Sequence, residues 1–407
     1  MLTLLPEQNA LLVLVRQALF SKQDELNIVD WQQVERVANE QGVLSMLYIG
    51  ASKYKSLVPA DVIREWRGIM YSDVMRNEQL NSVQTELIAQ LQARNIAVAV
   101  LKGLSVAWYY RHPDMRCLGD IDILIDKENV KETAEMLKSW GYTQTHIGHV
   151  FHSSFEKDGV TVEVHHEATE VPHSEGGTRA RHIMNEFLSE RRQVQVNDTV
   201  FPVLSDTHQA LMLLLHMERH MTEMDIGLRQ VCDWAAFVDA SDSSHWEQHT
   251  LEMLEYCGLL SYAKVVTKAC VAYLGLEETK CAWCMGAEDE LVDRFMEDAF
   301  RGGNLGAANN KRLGSAFTDR SLLGQKKQGL LKGVFVKMTN RAYSYYPVVR
   351  KYKVLLPLCW LYLPFEYLVR SFVKMPDKRN WGEMVGVANK RRNLINDLHL
   401  YETNKRK

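Results

Sequence analysis

The chain of 407 residues has no regular cysteine spacing, no apolar run long enough to cross a bilayer and no recognisable nucleic-acid-binding module. Seven cysteines, an odd count without pattern, exclude a disulfide framework and point to reduced thiols. Cys281 and Cys284 form a lone C-x-x-C in an expected helix, with no second pair near by, and read as packing cysteines rather than zinc ligands. Val354 to Tyr362 is apolar but broken by Pro357, and a spanning helix needs about 20 such residues. Met1 to Glu7 carries too little positive charge and too short an apolar run for a signal peptide, so a cytoplasmic location is expected. What is present, 46% hydrophobic residues in a chain of this length, suffices for two or three domains with sizeable cores.

Charge is unevenly placed. The net charge of −3 conceals a basic stretch, residues 311–407, with 21 Lys and Arg against 6 Asp and Glu. The rest of the chain therefore holds 27 of the 48 basic residues and 45 of the 51 acidic ones. Val354 to Tyr362 and the following Leu363-Pro364-Phe365-Glu366 lie inside the basic stretch. Three readings are open: a subdomain docking on the acidic body of the same chain, an interfacial segment on anionic lipid at the inner face of the membrane, or, less favoured because no module supports it, nucleic-acid binding.

Apolar residues at helical spacing predict helices over 6–20, 30–50 and 60–93, with Asp30 and Asp61 as caps. Ile96 to Leu101 reads as a strand, Leu104 to Tyr110 as a helix, and Lys127 to Trp140 as an amphipathic helix ending at Gly141. Phe151 to Lys157 and Val160 to His165 alternate, and Asp158-Gly159 between them signals a hairpin. Helices resume at the capping run Ser205-Asp206-Thr207 and continue to about residue 300, followed by a Gly- and Asn-rich linker. The expectation is an α+β protein in four parts: a helical region 1–93, a β-α-β-α-β-β core 94–204, a helical domain 205–300, and a linker with the basic, aromatic-rich region 301–407. The core is expected as a mixed sheet with helices on one face.

The chemistry concentrates in Gly119-Asp120-Ile121-Asp122-Ile123-Leu124. Alternation along a strand puts Asp120 and Asp122 on one face and the isoleucines on the other. Two like charges so close persist at low cost only if a cation or a shared proton relieves them, and hard oxygen ligands suit Mg²⁺ or Mn²⁺. In the hairpin's second strand Val160, Val162 and Val164 share one face, so Glu163 and His165 share the other and can join the Asp pair. Upstream, a strand, Lys102-Gly103 and a helix N-terminus form a candidate phosphate seat, with Arg116 in reach. His146, His149 and His152 recur every three residues on a loop or strand and read as surface residues. His216 and His220, at i and i+4, share one helical face, as do Arg229 and Asp233. The last two form either an intrahelical ion pair or, if that face meets the cleft, leave Arg229 for a triphosphate.

Val100-Leu101-Lys102-Gly103, Arg111-His112-Pro113, Arg116, Gly119 to Leu124 and Val162-Glu163-Val164-His165 together resemble the bacterial nucleotidyltransferase-like family of the DNA polymerase β superfamily. The resemblance covers roughly residues 94–170, and Leu211 to Asp239 is similar to the helical portion that follows the core. Two departures stand out: Lys102-Gly103 replaces the superfamily's commonest Gly-Ser, as in the smaller family, and Glu163 stands where Asp is more usual. The resemblance implies a polymerase-β-type core in which Asp120 and Asp122 bind metal and Glu163 orients or deprotonates the attacking hydroxyl. The implied reaction moves a nucleoside monophosphate from an NTP to an acceptor, releasing pyrophosphate. Small molecule, glycan precursor, protein and RNA all remain open as the acceptor. The rival readings are a phosphotransferase using the same metals and a catalytically silent nucleotide-binding or scaffold protein.

Overall fold

The computed structural model describes residues 2–146, 151–242, 246–304, 346–363 and 381–403, with a few single positions between 323 and 343. Helix α1 (Pro6–Phe20) starts with proline in its first turn, where the missing N–H costs nothing. Helix α2 (Trp31–Gln41) is capped as expected by Asp30, whose carboxylate accepts from the backbone N–H of Gln32 and Gln33. It stops at Gly42 in the left-handed conformation, φ 70°. A short helix α3 (Met46–Gly50) then crosses α1 so closely that a Cβ on Gly50 would lie 2.3 Å from the carbonyl oxygen of Leu14. The 34-residue helix α4 (Ala60–Ala93) follows. Its cap position is held by Pro59, and Asp61, expected there, sits two residues on, in the first turn, where its charge still complements the helix dipole.

The sheet has seven strands in the order β3-β4-β5-β2-β1-β7-β6. They are β1 (Val98–Val100), β2 (Ile121–Ile125), β3 (Thr143–His146), β4 (His152–Lys157), β5 (Val160–His165), β6 (Arg192–Val196) and β7 (Thr199–Val203). It is mixed, as expected: β2 pairs parallel with β5 and β1 with β7, and the other pairs are antiparallel. Asp158 and Gly159, φ 50° and 73°, form the tight turn of the β4–β5 hairpin. Strand β3 and the β6–β7 hairpin were not anticipated. Between β2 and β3 lies helix α6 (Val130–Ser139), preceded by a 3₁₀ turn from Lys127.

The two faces of the sheet have different partners. Val98, Val100, Ile121, Ile123, Ile125, Val162 and Val164 pack with Leu87, Leu91, Met136 and Leu137 of α4 and α6. Ala99, Leu101 and Leu124 join a second, larger core made by α1–α3, α7 (Glu175–Met184), α8 (Asp206–Glu223), α9 (Leu228–Ala240) and later helices. Helices therefore cover both faces, not one. The N-terminal helices and the 205–300 helices share this larger core, because both contribute stripes of buried leucine and alanine that only the other covers. At the far end the helix Trp381–Asp397 is clamped to it by Arg391, which pairs with Asp225 and lies 3.4 Å from Asp298. Replacing Arg391 with Met strands two buried acids and is expected to cost about 3–5 kcal/mol, read as a fall in melting temperature.

Candidate active site

Asp122 and Glu163 are partners in the parallel β2–β5 register, so their side chains leave the sheet side by side. Residue 165 follows two positions on, opposite Leu124, on the same face. The isoleucines alternating with the acids go to the α4/α6 core, which is why a strand buried along its length still delivers a carboxylate to the opposite face.

Asp122 is 1% exposed, and a carboxylate that buried must be compensated. Lys102 Nζ lies 2.7 Å from its Oδ1 and His165 Nε2 2.9 Å from the same oxygen. Burial works to raise the Asp122 pKa, but Lys102 and His165 overcome it and hold the carboxyl well below the usual range. Burial likewise works against the charge on Lys102, and Asp122, Asp120 and Glu163 outweigh it, leaving its pKa raised. Asp120 goes the other way: the negative charge of Asp122, then burial, push it up to about 6. Burial works to raise the Glu163 pKa, but the hydrogen bond from His165 together with the charges of Lys102 and His165 shifts it down, and His165 is in turn shifted up against its own burial by Asp122 and Glu163. His165 Nε2 is 3.2 Å from Glu163 Oε2, and His152 Nε2 is 3.8 Å from Glu163 Oε1.

Asp120, Asp122 and Glu163 each offer an oxygen within 4.8 Å of the others, and His152, Glu163 and His165 each offer a ligand atom within the same span. The second oxygen of Asp122, Oδ2, is buried without a hydrogen-bond partner in the protein. An orphaned carboxylate oxygen beside two further carboxylates fits a hard divalent cation such as Mg²⁺ or Mn²⁺.

His152 corrects one expectation. It is 8% exposed, with its ring 5.0 Å from that of His165, and belongs to the site rather than to the surface. The side chain of His146 and all of His149 lie outside the described residues.

The loop after β1 is tighter than expected. Helix α5 spans only Leu104–Ala107, not Leu104 to Tyr110. It ends early because Tyr109 and Tyr110 turn their hydroxyls to Asp206, at 3.1 Å, and Asp233, at 2.6 Å. So short a helix has little dipole to offer, and any phosphate seat must come from the loop itself. Gly103 adopts φ 62°, ψ −116°, a conformation open to glycine alone. Since a Cβ there would meet nothing nearer than 3.7 Å, Gly103→Ala is expected to cost about 1–3 kcal/mol through backbone strain rather than collision, measurable by denaturant unfolding.

Arg116 was expected at the phosphates and is placed behind the loop instead. Its Nε and Nη2 fork onto Asp233 of α9 at 2.7 and 2.9 Å, and Nη1 donates to the carbonyl of Gly103 at 3.2 Å. At 4% exposure the guanidinium is a buttress that fixes the loop to the helical body. Asp233 thus pairs with Arg116 and not with Arg229. Arg116→Ala is expected to destabilise by about 3–5 kcal/mol, because it leaves Asp233 buried and unpaired; a thermal melt reads it.

Arg229, freed from Asp233, is half-buried with its Nε unpartnered, and its charge acts on the carboxyl of Asp120. On α8, His216 and His220 face each other with their Nε2 atoms 2.9 Å apart. Both are kept neutral by burial, then by surrounding positive charge: His220 falls to about 3, and His216 lies well below its ordinary value. Lys102 and Arg229 act on both imidazoles, which places the pair on the side of α8 that faces the acidic site. The i, i+4 spacing was visible in the sequence, but which face of α8 met the sheet was not.

Of the two buried cysteines of the C-x-x-C, Cys281 lies between two 3₁₀ turns and Cys284 ends the second, so neither is in an α-helix, and no metal group among the described residues includes them.

A family model described as "Uncharacterised nucleotidyltransferase" matches residues 27–275. No curated protein matches. Among solved structures, an antigenic nucleotidyltransferase-like protein from Paracoccidioides brasiliensis aligns over 50% of this chain and 97% of its own at 15% identity, with a TM-score of 0.32 too low to bear on the fold.

Proposed function

Since the chain belongs to this family of uncharacterised nucleotidyltransferases, we propose that it moves a nucleoside monophosphate from an NTP to an acceptor hydroxyl in the cleft between β2, β5 and α8. Asp120, Asp122 and Glu163 are the residues that hold Mg²⁺ or Mn²⁺. When bound, the cation supplies charge neutralisation at the phosphates during displacement. Lys102 and His165 hold Asp122 ionised and in one rotamer, so the carboxylate is set before substrate arrives. Arg229, with an unspent N–H, and the Gly103 loop face the triphosphate. Glu163, hydrogen-bonded to His165, orients the acceptor hydroxyl and takes its proton as the new O–P bond forms and the bond to the pyrophosphate oxygen breaks.

The observation that carries this reading is that Asp120, Asp122 and Glu163 bring carboxylate oxygens within 4.8 Å of one another while one Asp122 oxygen, Oδ2, is buried without a partner in the protein. The test needs no acceptor: thermal shift against ATP, GTP, CTP and UTP, each with and without Mg²⁺ or Mn²⁺. Ligand at a hundredfold excess over its dissociation constant adds about 2.7 kcal/mol to the folded state. A metal-dependent shift is the expected result, and no shift with any nucleotide removes the reading in favour of a silent scaffold. Product analysis separates the transferase readings: pyrophosphate means nucleotidyl transfer, and nucleoside diphosphate means phosphoryl transfer.

A further inference from the structure

Half of the exposed large hydrophobic residues among those described, seven of fourteen, fall between Phe335 and Tyr362. The segment forms a helix at Pro347–Lys351, a 3₁₀ turn at Lys353–Leu355 and a helix at 356–363. Val354, Leu358 and Leu361 follow i, i+4, i+7 spacing and are 82%, 63% and 76% exposed. Tyr362 beside them and Tyr352 before them are also exposed. The opposite side is not polar either: Val349 and Leu363 pack with Ala342 into a small core of their own, flanked by Leu355 and Cys359. A helix apolar all round is normally buried. Here the inner face is buried and the outer one has no cover among the described residues.

We propose that this ridge is a membrane-surface anchor that seats Val354, Leu358 and Leu361 in the interfacial zone of an anionic bilayer. Charge selects the occupant. Residues 311–365 contain eleven Lys and Arg against one Asp, in a chain whose remainder is acidic. Lys351 and Lys353 are exposed at the edge of the ridge, with Lys351 Nζ 5.5 Å from the ring centre of Tyr352. Tyrosines and lysines bordering an exposed aliphatic ridge are the composition of an interfacial segment, whose apolar side enters the acyl boundary while its cations meet lipid phosphates. A protein partner would instead need a groove to receive the ridge and acidic groups to meet the lysines. No helix of the described residues is long and apolar enough to cross the bilayer, so the contact is one of surface seating.

The full-length protein is tested by co-sedimentation with phosphatidylcholine vesicles, alone or with phosphatidylglycerol, at low and high salt. The wild type is expected to partition onto the anionic vesicles and to lose that binding at high salt. The variant Leu358→Glu/Leu361→Glu is expected to bind at least tenfold more weakly, with an unchanged melting curve because both side chains are exposed. Lys351→Glu/Lys353→Glu is expected to weaken binding to anionic vesicles. Wild type left in the supernatant with anionic vesicles overturns the proposal and leaves the ridge to a protein. Equal binding by Leu358→Glu/Leu361→Glu, or by neutral and anionic vesicles, overturns it too. None of these outcomes depends on the reaction assigned to the cleft.

Discussion

Asp120→Asn is expected to remove turnover, by more than about a thousandfold, while leaving the metal-free protein as stable as the wild type or more so. The two acids of the D-x-D are not equivalent. Asp120 is the one whose ionisation the fold resists, since Asp122 and burial raise its pKa; neutralising it relieves a repulsion. Asp122 is the one the fold depends on, with Lys102 and His165 both on Oδ1. Asp122→Asn therefore should lose activity and stability together, with about 1–3 kcal/mol lost because the half-buried Lys102 loses its nearest anion. NTP-dependent product formation, followed beside melts without metal, separates the two effects. An Asp120→Asn enzyme that keeps its activity ends the metal assignment, and an Asp122→Asn protein with wild-type stability ends the account of how the site is held.

This asymmetry was not legible in the sequence, although its ingredients were. Strand alternation correctly put Asp120 and Asp122 opposite the isoleucines, because a two-residue period allows no other arrangement once Ile121, Ile123 and Ile125 are buried. The Asp158-Gly159 turn fixed the β4–β5 hairpin and with it the shared face of Glu163 and His165. The parallel pairing that brings Glu163 beside Asp122 is a long-range contact with no local signal. Arg116 shows the same limit: a loop arginine four residues before an acidic motif reads as a ligand, and only the docking of α9 shows that Asp233 has taken it. The β6–β7 hairpin was readable and missed. Val194 and Val196 alternate with polar residues, and Asn197-Asp198, with Asn197 at φ 51°, is a turn signal of the same kind as Asp158-Gly159.

The site should also be pH-sensitive, in a direction the Asp pair dictates. In the folded protein without metal the Asp120 carboxyl titrates at about 6 against an ordinary 3.8. A group whose pKa is raised by folding binds its proton more tightly in the native state. Its contribution to stability is therefore full below the unfolded value and is lost as pH rises through the folded one. A divalent cation acts against that loss by replacing the proton. Affinity for Mn²⁺ is thus expected to fall by about tenfold per pH unit below 6 and to level off above 7. His165 pushes in the same direction, since its raised pKa favours an imidazolium against Asp122 and Glu163 that repels the cation as pH falls. Thermal shift with Mn²⁺ at pH 5, 6, 7 and 8 reads the curve, and Asp120→Asn should flatten it by removing the titrating ligand. Affinity that stays constant between pH 5 and 7 would mean that Asp120 is already ionised there, and that a cation other than the metal relieves the pair.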